Sequence, residues 1–204
     1  MHMCQALIFD LGKVVFDLSF DRVFQFWAKA SGREVDELKS GFRFDGVFDA
    51  FEKDGVSPAV FRTEISARLG LTLTDQVFDE GWCALYLDTY PGIDNLLACL
   101  KQNYQLVALT NTNRIHSEVW RPRYAGTLRH FQRVFCSHEL QARKPEAPAY
   151  QAVLDYLRVA PRQAVFLDDS PDNVKGADRL GLKTILVTSE RQMTTELQRM
   201  GLLT

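Results

Sequence analysis

Leu7-Ile8-Phe9-Asp10 is a short apolar run that ends in a carboxylate, and it predicts a buried β-strand that brings an acid to the edge of a sheet. The pattern recurs at Leu106-Val107-Ala108-Leu109-Thr110-Asn111 and at Val165-Phe166-Leu167-Asp168-Asp169. Runs of this length with polar ends are typical of buried parallel strands. Ligands bind beyond the carboxyl ends of such strands, so we expect these polar groups to meet in one crevice.

The composition is that of an ordinary globular protein. The chain has 204 residues, of which 46% are hydrophobic and 25% charged, and its formal net charge is -2. This length suffices for one substantial core, or for a core with a smaller insert. The near-neutral charge does not suggest a nucleic-acid partner. No apolar stretch approaches the roughly 18 residues that a membrane-spanning helix needs.

The four cysteines lack the C-x-x-C spacing of metal or redox motifs; they are Cys4, Cys83, Cys99 and Cys136. They lie mostly within apolar segments, which favours reduced thiols over a disulfide framework. The N-terminal residues lack the basic region of a signal peptide. We therefore expect a cytoplasmic protein.

Residues 17–88 differ from the rest in being rich in phenylalanine and in helical periodicity. Two stripes have the i, i+3, i+4, i+7 spacing of amphipathic helices, formed by Phe20, Val23, Phe24 and Trp27 and by Phe44, Val47, Phe48 and Phe51. Ser57-Pro58 predicts the start of another helix that ends at Gly70, and Thr74 can cap a further one. We expect a helical bundle inserted after the first strand.

From Pro91 onward, predicted strands and helices alternate. Helices are predicted at about 93–102, 148–157 and 172–180, and further strands at 134–136 and 184–187. This alternation is typical of right-handed crossovers and a doubly wound parallel sheet. The sequence therefore predicts an α/β core of residues 1–16 and 89–204 that carries the helical segment 17–88.

Four motifs in this order resemble those of the haloacid dehalogenase superfamily, along essentially the whole chain. They are Ile8-Phe9-Asp10-Leu11-Gly12-Lys13-Val14-Val15, Leu109-Thr110-Asn111, Arg143-Lys144-Pro145 and Phe166-Leu167-Asp168-Asp169-Ser170-Pro171-Asp172-Asn173. The resemblance implies a Rossmann-like core with an α-helical cap at residues 17–88. Three stretches are most similar to those of bacterial alpha-D-glucose-1-phosphate phosphatases: residues 9–12, 51–57 and 111–114.

The resemblance implies that Asp10 is a nucleophile that forms an aspartyl phosphate. A carboxylate nucleophile divides a difficult displacement into two easier ones. Thr110 would donate its hydroxyl and Asn111 a backbone N–H to the phosphoryl oxygens, and Lys144 would offset their charge. Without the other motifs, Asp10 would read as a turn or cap residue and Lys144 as a solvated surface lysine.

The acidic residues at the predicted crevice repel one another, so we expect a cation to neutralise them. Two like charges about 4 Å apart repel by roughly 4 kcal/mol at an effective dielectric near 20. Carboxylates next to a phosphate favour Mg²⁺. The resemblance implies that Asp10, Asp169 and the carbonyl of Gly12 bind the metal directly, with Asp168 and Asn173 supporting the site. The acidic pair could instead only cap the following helix.

Substrate choice is expected to depend on the cap and on residues after the second motif. Arg43 lies on the segment that matches the subgroup's cap motif, and Asn113 follows the second motif, so both are candidate substrate contacts. The basic residues between Arg114 and Arg133 predict a solvated face. We expect small phosphate esters to be the partners, with no nucleic acid or membrane, and a monomer or homodimer.

Gly12 departs from the family pattern, because most phosphatases of the superfamily have a second aspartate there that protonates the leaving oxygen. A general acid of this kind contributes typically 10² to 10⁴. The sequence therefore predicts a Mg²⁺-dependent phosphatase of small monoesters, sugar phosphates such as glucose 1-phosphate above all, whose leaving oxygen needs little protonation. A metal-independent 2-haloacid dehalogenase and a degenerate member that only binds phosphometabolites or a partner stay open as alternatives.

Overall fold

The computed structural model describes residues 3–203, so Met1, His2 and Thr204 of the predicted core lie outside it. Its strands are β1 (Ala6–Phe9), β2 (Phe16–Leu18), β3 (Tyr86–Thr89), β4 (Gln105–Thr110), β5 (Arg133–Cys136), β6 (Ala164–Asp168) and β7 (Lys183–Leu186). Five of them form a parallel sheet in the order β5-β4-β1-β6-β7. The predicted doubly wound parallel sheet is confirmed.

The twelve helices within the described residues are α1 (Phe20–Ser31), α2 (Val35–Gly41), α3 (Gly46–Glu52), α4 (Pro58–Leu69), α5 (Asp75–Trp82), α6 (Ile93–Leu100), α7 (Arg114–Arg123), α8 (Ala125–Leu128), α9 (Ser137–Leu140), α10 (Ala147–Leu157), α11 (Pro171–Arg179) and α12 (Glu190–Arg199). Between residues 3 and 203, no helix is both long enough and apolar enough to cross a membrane. All four cysteines are free thiols.

The strand β1 is buried on both faces because it lies at the centre of the sheet. Leu7 and Phe9 pack in one apolar cluster, and Ala6 and Ile8 in another, as the two-residue period of a strand requires. The chain leaves β1 for β4 on one side and later adds β6 on the other. This reversal creates a crevice at the carboxyl ends of the three strands.

The helices α1 to α5 occupy the insert, and α1, α4 and α5 follow their sequence signals closely. In α1, Val23, Phe24 and Trp27 are buried as predicted. Ser57 and Thr74 cap α4 and α5 by accepting from backbone N–H groups three residues further on. The helix α2 was not predicted.

Phe44 does not belong to the helical stripe in which it was predicted. The helix α3 begins after Asp45, whose side chain accepts from the N–H of Val47, and Phe44 precedes that cap with 60% of its surface exposed. A capping aspartate satisfies N–H groups that the first helical turn leaves free, and this sets the helix start.

The strands β2 and β3 form a separate antiparallel pair that the sequence analysis missed. Phe16 lies opposite Thr89, and Leu18 lies opposite Tyr86. The pair stands where the chain leaves the core for α1 and where it returns after α5. The predicted boundaries at 16/17 and 88/89 fall within it, so this pair is the stem that joins the helical segment to the sheet.

Candidate active site

A cavity of about 240 Å³ opens at the carboxyl ends of the central strands. Asp10 follows β1 directly, Thr110 ends β4 and Asp168 ends β6. The cavity is lined by Asp10, Gly12, Lys13, Phe16, Leu18, Phe20, Tyr86, Thr110, Asn111, Thr112, Trp120, Lys144, Asp169 and Asn173. The fold thus brings residues from distant parts of the chain to one place.

Lys144 joins two of the carboxylates. Its Nζ lies 2.7 Å from Oδ1 of Asp10 and 2.6 Å from Oδ2 of Asp168. Lys144 is 1% exposed and Asp168 is fully buried. Ion pairs of this kind are much less screened than those at a surface, so the ammonium strongly influences both acids.

Asn111 holds the backbone of Lys144 in place. Its Nδ2 donates to the carbonyl oxygen of Lys144 at 2.9 Å, and its Oδ1 accepts from the N–H of Lys144 at 2.9 Å. The side chain therefore satisfies both backbone groups of the lysine. Sequence analysis assigned Asn111 only a backbone contact with phosphate, and no local pattern indicated this brace between segments 33 residues apart.

Burial is the largest influence on the pKa values of Asp10 and Asp169. It raises the pKa of Asp10 to about 7, against the attraction of Lys144 and with the repulsion of Asp168 and Asp169 adding to it. The pKa of Asp169 is also raised, chiefly by burial. The two neighbouring carboxylates more than offset the burial of Lys144 and raise its pKa above the ordinary value.

Three carboxylates have the arrangement of a cation site. Asp10, Asp168 and Asp169 each present an oxygen, and these oxygens lie within 4.8 Å of one another. Hard oxygen donors of this kind suit Mg²⁺. Burial is the main reason that the pKa of Asp10 is raised, and the repulsion of Asp168 and Asp169 adds to it.

The oxygens of Asp168 already have partners within the protein. Oδ1 accepts from the N–H of Ser170 at 2.8 Å, and the amide of Asn173 donates to both oxygens at 3.0 and 3.1 Å. With Lys144 on Oδ2, the carboxylate is fully engaged. Asp10 and Asp169 are thus better placed to face a cation, while Asp168 orients the groups around it.

Two predicted substrate contacts lack support in this arrangement, because neither residue lines the cavity. Asn113 is buried as the cap of α7: its Oδ1 accepts from the N–H of His116, and its Nδ2 lies 3.1 Å from Nδ1 of the same residue. Arg43 is exposed and donates to the backbone carbonyls of Ser40 and Phe42. Their polar groups are committed to local structure.

An apolar wall of the cavity escaped the sequence analysis. It consists of Phe16, Leu18, Phe20, Tyr86 and Trp120. Phe20 belongs to the stripe assigned to the helical core, but it is only partly buried and lines the cavity. The others come from the unpredicted stem and from α7, so no single periodic pattern could have grouped them.

The helix α3 contacts the segment around Lys144 through charged residues. Arg143 pairs with Asp49, and its Nε lies 2.9 Å from Oε2 of Glu52 without the geometry of a hydrogen bond. Lys53 pairs with Glu146 at 2.9 Å. Glu52 is 6% exposed, and burial raises its pKa to about 7.

Three of the five arginines in the predicted solvated basic face form ion pairs. Acidic partners for its arginines come from other parts of the chain: Arg114 pairs with Asp54 and Arg121 with Glu139. The paired charges leave little unbalanced positive potential at these positions, which agrees with the expectation of a solvated face.

Comparisons with known proteins identify the family of this chain. Residues 4–181 match the family of haloacid dehalogenase-like hydrolases. The D-ribitol-5-phosphate phosphatase of Bacteroides thetaiotaomicron is 23% identical over 188 residues, which cover 89% of this chain and 91% of that protein. The named substrate of this relative is ribitol 5-phosphate, whereas the sequence motifs suggested a glucose-1-phosphate phosphatase.

Two solved structures share the fold over nearly the whole chain. A HAD family enzyme from Bacteroides thetaiotaomicron, solved in complex with magnesium and inorganic phosphate, has a TM-score of 0.79 and 28% identity over 92% of this chain and 96% of its own. A HAD-like hydrolase from Porphyromonas gingivalis has a TM-score of 0.82 and 25% identity, with 97% and 98% of the two chains covered.

Proposed function

The chain belongs to the haloacid dehalogenase-like hydrolases, as a phosphatase of that family, and we propose that it hydrolyses small sugar phosphates through an aspartyl phosphate on Asp10. The observation that carries the proposal is Lys144, whose ammonium lies 2.7 Å from Asp10 and 2.6 Å from Asp168. A buried lysine between two acids at the end of the central strands suits the transfer of a dianionic group.

The reaction has two displacements at phosphorus. In the first, an oxygen of Asp10 bonds to phosphorus and the ester P–O bond breaks, with its electron pair leaving on the alcohol oxygen. In the second, water attacks the same phosphorus, releases inorganic phosphate and restores the carboxylate of Asp10. The hydroxyl of Thr110 and the backbone N–H of Asn111 would hold the phosphoryl oxygens, and Lys144 would offset their charge.

Asp10, Asp169 and the carbonyl of Gly12 would hold Mg²⁺. When bound, the cation neutralises the charge that gathers when a phosphate dianion enters a pocket of carboxylates. Asp168 would support the site from behind through Asn173 and Lys144. The charge of Asp168 and Asp169 disfavours a metal-independent 2-haloacid dehalogenase, which has no use for it.

The absence of an acidic side chain at Gly12 favours glucose 1-phosphate as the substrate. With no carboxyl group at this position to protonate the leaving oxygen, an anomeric oxygen, which departs more readily than that of a simple alcohol, is the better leaving group. Residues 17–88 would act as the cap that admits the substrate, over a core formed by residues 1–16 and 89–204. We place the enzyme in the cytoplasm as a monomer or homodimer.

Phosphate release from p-nitrophenyl phosphate, with and without Mg²⁺, tests this function. Release that requires Mg²⁺ and is abolished by Asp10→Asn is expected. Asp172→Asn is the matched control, because its side chain is exposed on α11 and does not line the cavity. Acid-quenched labelling should find phosphate on Asp10. Halide release from 2-chloropropionate without metal would instead indicate a dehalogenase, and binding of phosphate esters without turnover a degenerate member.

Glucose 1-phosphate, glucose 6-phosphate and ribitol 5-phosphate, assayed side by side, test the substrate. The 1-phosphate should have the highest kcat/KM. A clear preference for the 6-phosphate or for ribitol 5-phosphate would show that the leaving oxygen is protonated by some other group, and would remove the argument from Gly12.

A further inference from the structure

The residues that line the cavity fall into two chemical groups. The polar residues, which we assign to the phosphoryl group and the cation, include Asp10 and Asp169, which follow β1 and β6, and Lys144, which lies between α9 and α10. The apolar wall comes from other elements: the stem, α1 and α7. The ester's leaving group has to lie away from Asp10, so we assign it to this second group.

Leu18 occupies the space of a side chain at residue 12. A Cβ built on Gly12 would lie 2.5 Å from Cδ1 and 3.5 Å from Cγ of Leu18, and only this side chain lies within 4 Å of it. Gly12 is not among the glycines with positive φ, so its backbone would accept an ordinary residue. What opposes a side chain at residue 12 is therefore Leu18 and not backbone strain.

Two polar residues that line the cavity, Thr112 and Tyr86, do not replace the missing acid. The hydroxyl oxygen of Thr112 accepts from Nε1 of Trp120 at 3.1 Å. Burial raises the pKa of Tyr86 well above its ordinary value of 10.0, so its phenol keeps its proton and is a poor proton donor in catalysis.

We propose that Leu18 determines leaving-group specificity by filling, with an apolar side chain, the position from which a residue at 12 would protonate the leaving oxygen. The inference rests on the proposed function. In the first displacement the leaving oxygen keeps the electron pair of the broken P–O bond and takes its proton from solvent water. The wall formed with Phe20 and Trp120 selects esters with an apolar face and a stable leaving anion, such as aryl and anomeric phosphates.

A series of aryl phosphates with Mg²⁺ tests the proposal, because kcat/KM reports the formation of the aspartyl phosphate. The wild type should show a steep fall in kcat/KM from p-nitrophenyl to phenyl phosphate, whose leaving oxygen is more basic. This measurement needs no variant. An equal kcat/KM for the two esters would overturn the proposal.

The variants Leu18→Ala/Gly12→Asp and Leu18→Ala/Gly12→Asn differ only in whether residue 12 can carry a proton. The aspartate variant should hydrolyse phenyl phosphate at least about 10-fold faster than the asparagine variant in kcat/KM, within the range of a general acid. Its pH profile should gain a falling alkaline limb, which a purely structural role of Leu18 would not produce. Leu18→Ala alone, which makes room without an acid, should keep the steep dependence.

The outcomes distinguish a failure of the role proposed for Leu18 from a failure of the proposed function. Equal rates for the aspartate and asparagine variants would refute the role of Leu18, while leaving the phosphatase activity of the wild type in place. Failure of the wild type to release phosphate from p-nitrophenyl phosphate with Mg²⁺ would overturn the proposed function, and this inference with it.

Discussion

Replacing Lys144 with methionine would remove the positive charge that pairs with two buried carboxylates, while keeping a long, flexible side chain. Lys144 is 1% exposed and lies within 2.7 Å of both Asp10 and Asp168. Removing one partner from a buried ion pair is costly because the other partner keeps its charge without compensation. In Lys144→Met, two buried acids, Asp10 and Asp168, would lose their positively charged partner.

The size of the effect follows from the geometry. Oxygens of Asp10 and Asp168 lie within 4.8 Å of each other. At an effective dielectric of about 20, two unit charges at that distance repel by about 3.5 kcal/mol. Breaking buried pairs typically costs about 3–5 kcal/mol, so Lys144→Met should lower the free energy of unfolding by that amount at pH 8.

The loss should shrink at lower pH. The pKa of Asp10 is about 7 in the wild type, above the ordinary 3.8, so the folded protein binds a proton that the unfolded chain lacks and gains stability as the pH falls. Without Lys144 this pKa rises further, and the gain between pH 8 and pH 6 is larger. The difference between variant and wild type should therefore decrease by about 1 kcal/mol over this interval.

Urea unfolding at pH 8 and pH 6, with a chelator to keep the site metal-free, measures both quantities. Lys39→Met is the matched control: Lys39 pairs with Asp21 at 2.8 Å, but both side chains are exposed, at 37% and 64%. Exposed pairs contribute about 0–1 kcal/mol. Equal losses for the two lysine variants, or a loss at Lys144 that does not change with pH, would refute the reasoning.

Two further substitutions probe the surroundings of Lys144. The pKa of Glu52 is raised from 4.5 to about 7, so its ionisation lowers stability as the pH rises through that window. Glu52→Gln should gain about 3 kcal/mol relative to wild type between pH 4.5 and pH 8 in urea unfolding, and a constant difference would contradict this. Asn111→Ala loses two hydrogen bonds to the backbone of Lys144, which together contribute about 2 kcal/mol to the free energy of unfolding. This variant should reduce both stability and Mg²⁺-dependent phosphate release. An unchanged unfolding midpoint would show that Asn111 does not brace Lys144.

The central sheet could be predicted because its strands are buried on both faces. Ile8 and Phe9 point to opposite sides of β1 and both are fully buried, so consecutive residues have to be apolar. The polar residue that ends each run then has to lie at the edge of the sheet. This simple geometry explains why Asp10, Thr110 and Asp168 meet as expected.

The apolar wall could not be predicted from the same patterns. Leu18 packs over Gly12 where the chain turns back between residues 11 and 16, and it lies on β2, which pairs with β3 about 70 residues away. The helix α7 escaped notice because its basic residues obscure the apolar stripe of Ile115 and Trp120. Asn113 then looked like a free polar group next to the second motif, although asparagine is also a preferred helix cap.

Arg143 and Lys144 link the helices of the insert to the chemistry of the cavity. Lys144 faces Asp10, whereas its neighbour Arg143 contacts Asp49 and Glu52 on α3. The partners of Arg143 differ in burial. Asp49 is half-buried, so its pair with Arg143 contributes little, whereas Glu52 is buried and its raised pKa reflects the cost of burying its charge. Because Arg143 and Lys144 are consecutive, we expect a shift of α3 to move the segment that carries Lys144. If the insert selects the substrate as proposed, we expect this selection to be coupled to phosphoryl transfer through the backbone at residues 143–144, which Asn111 braces from the other side.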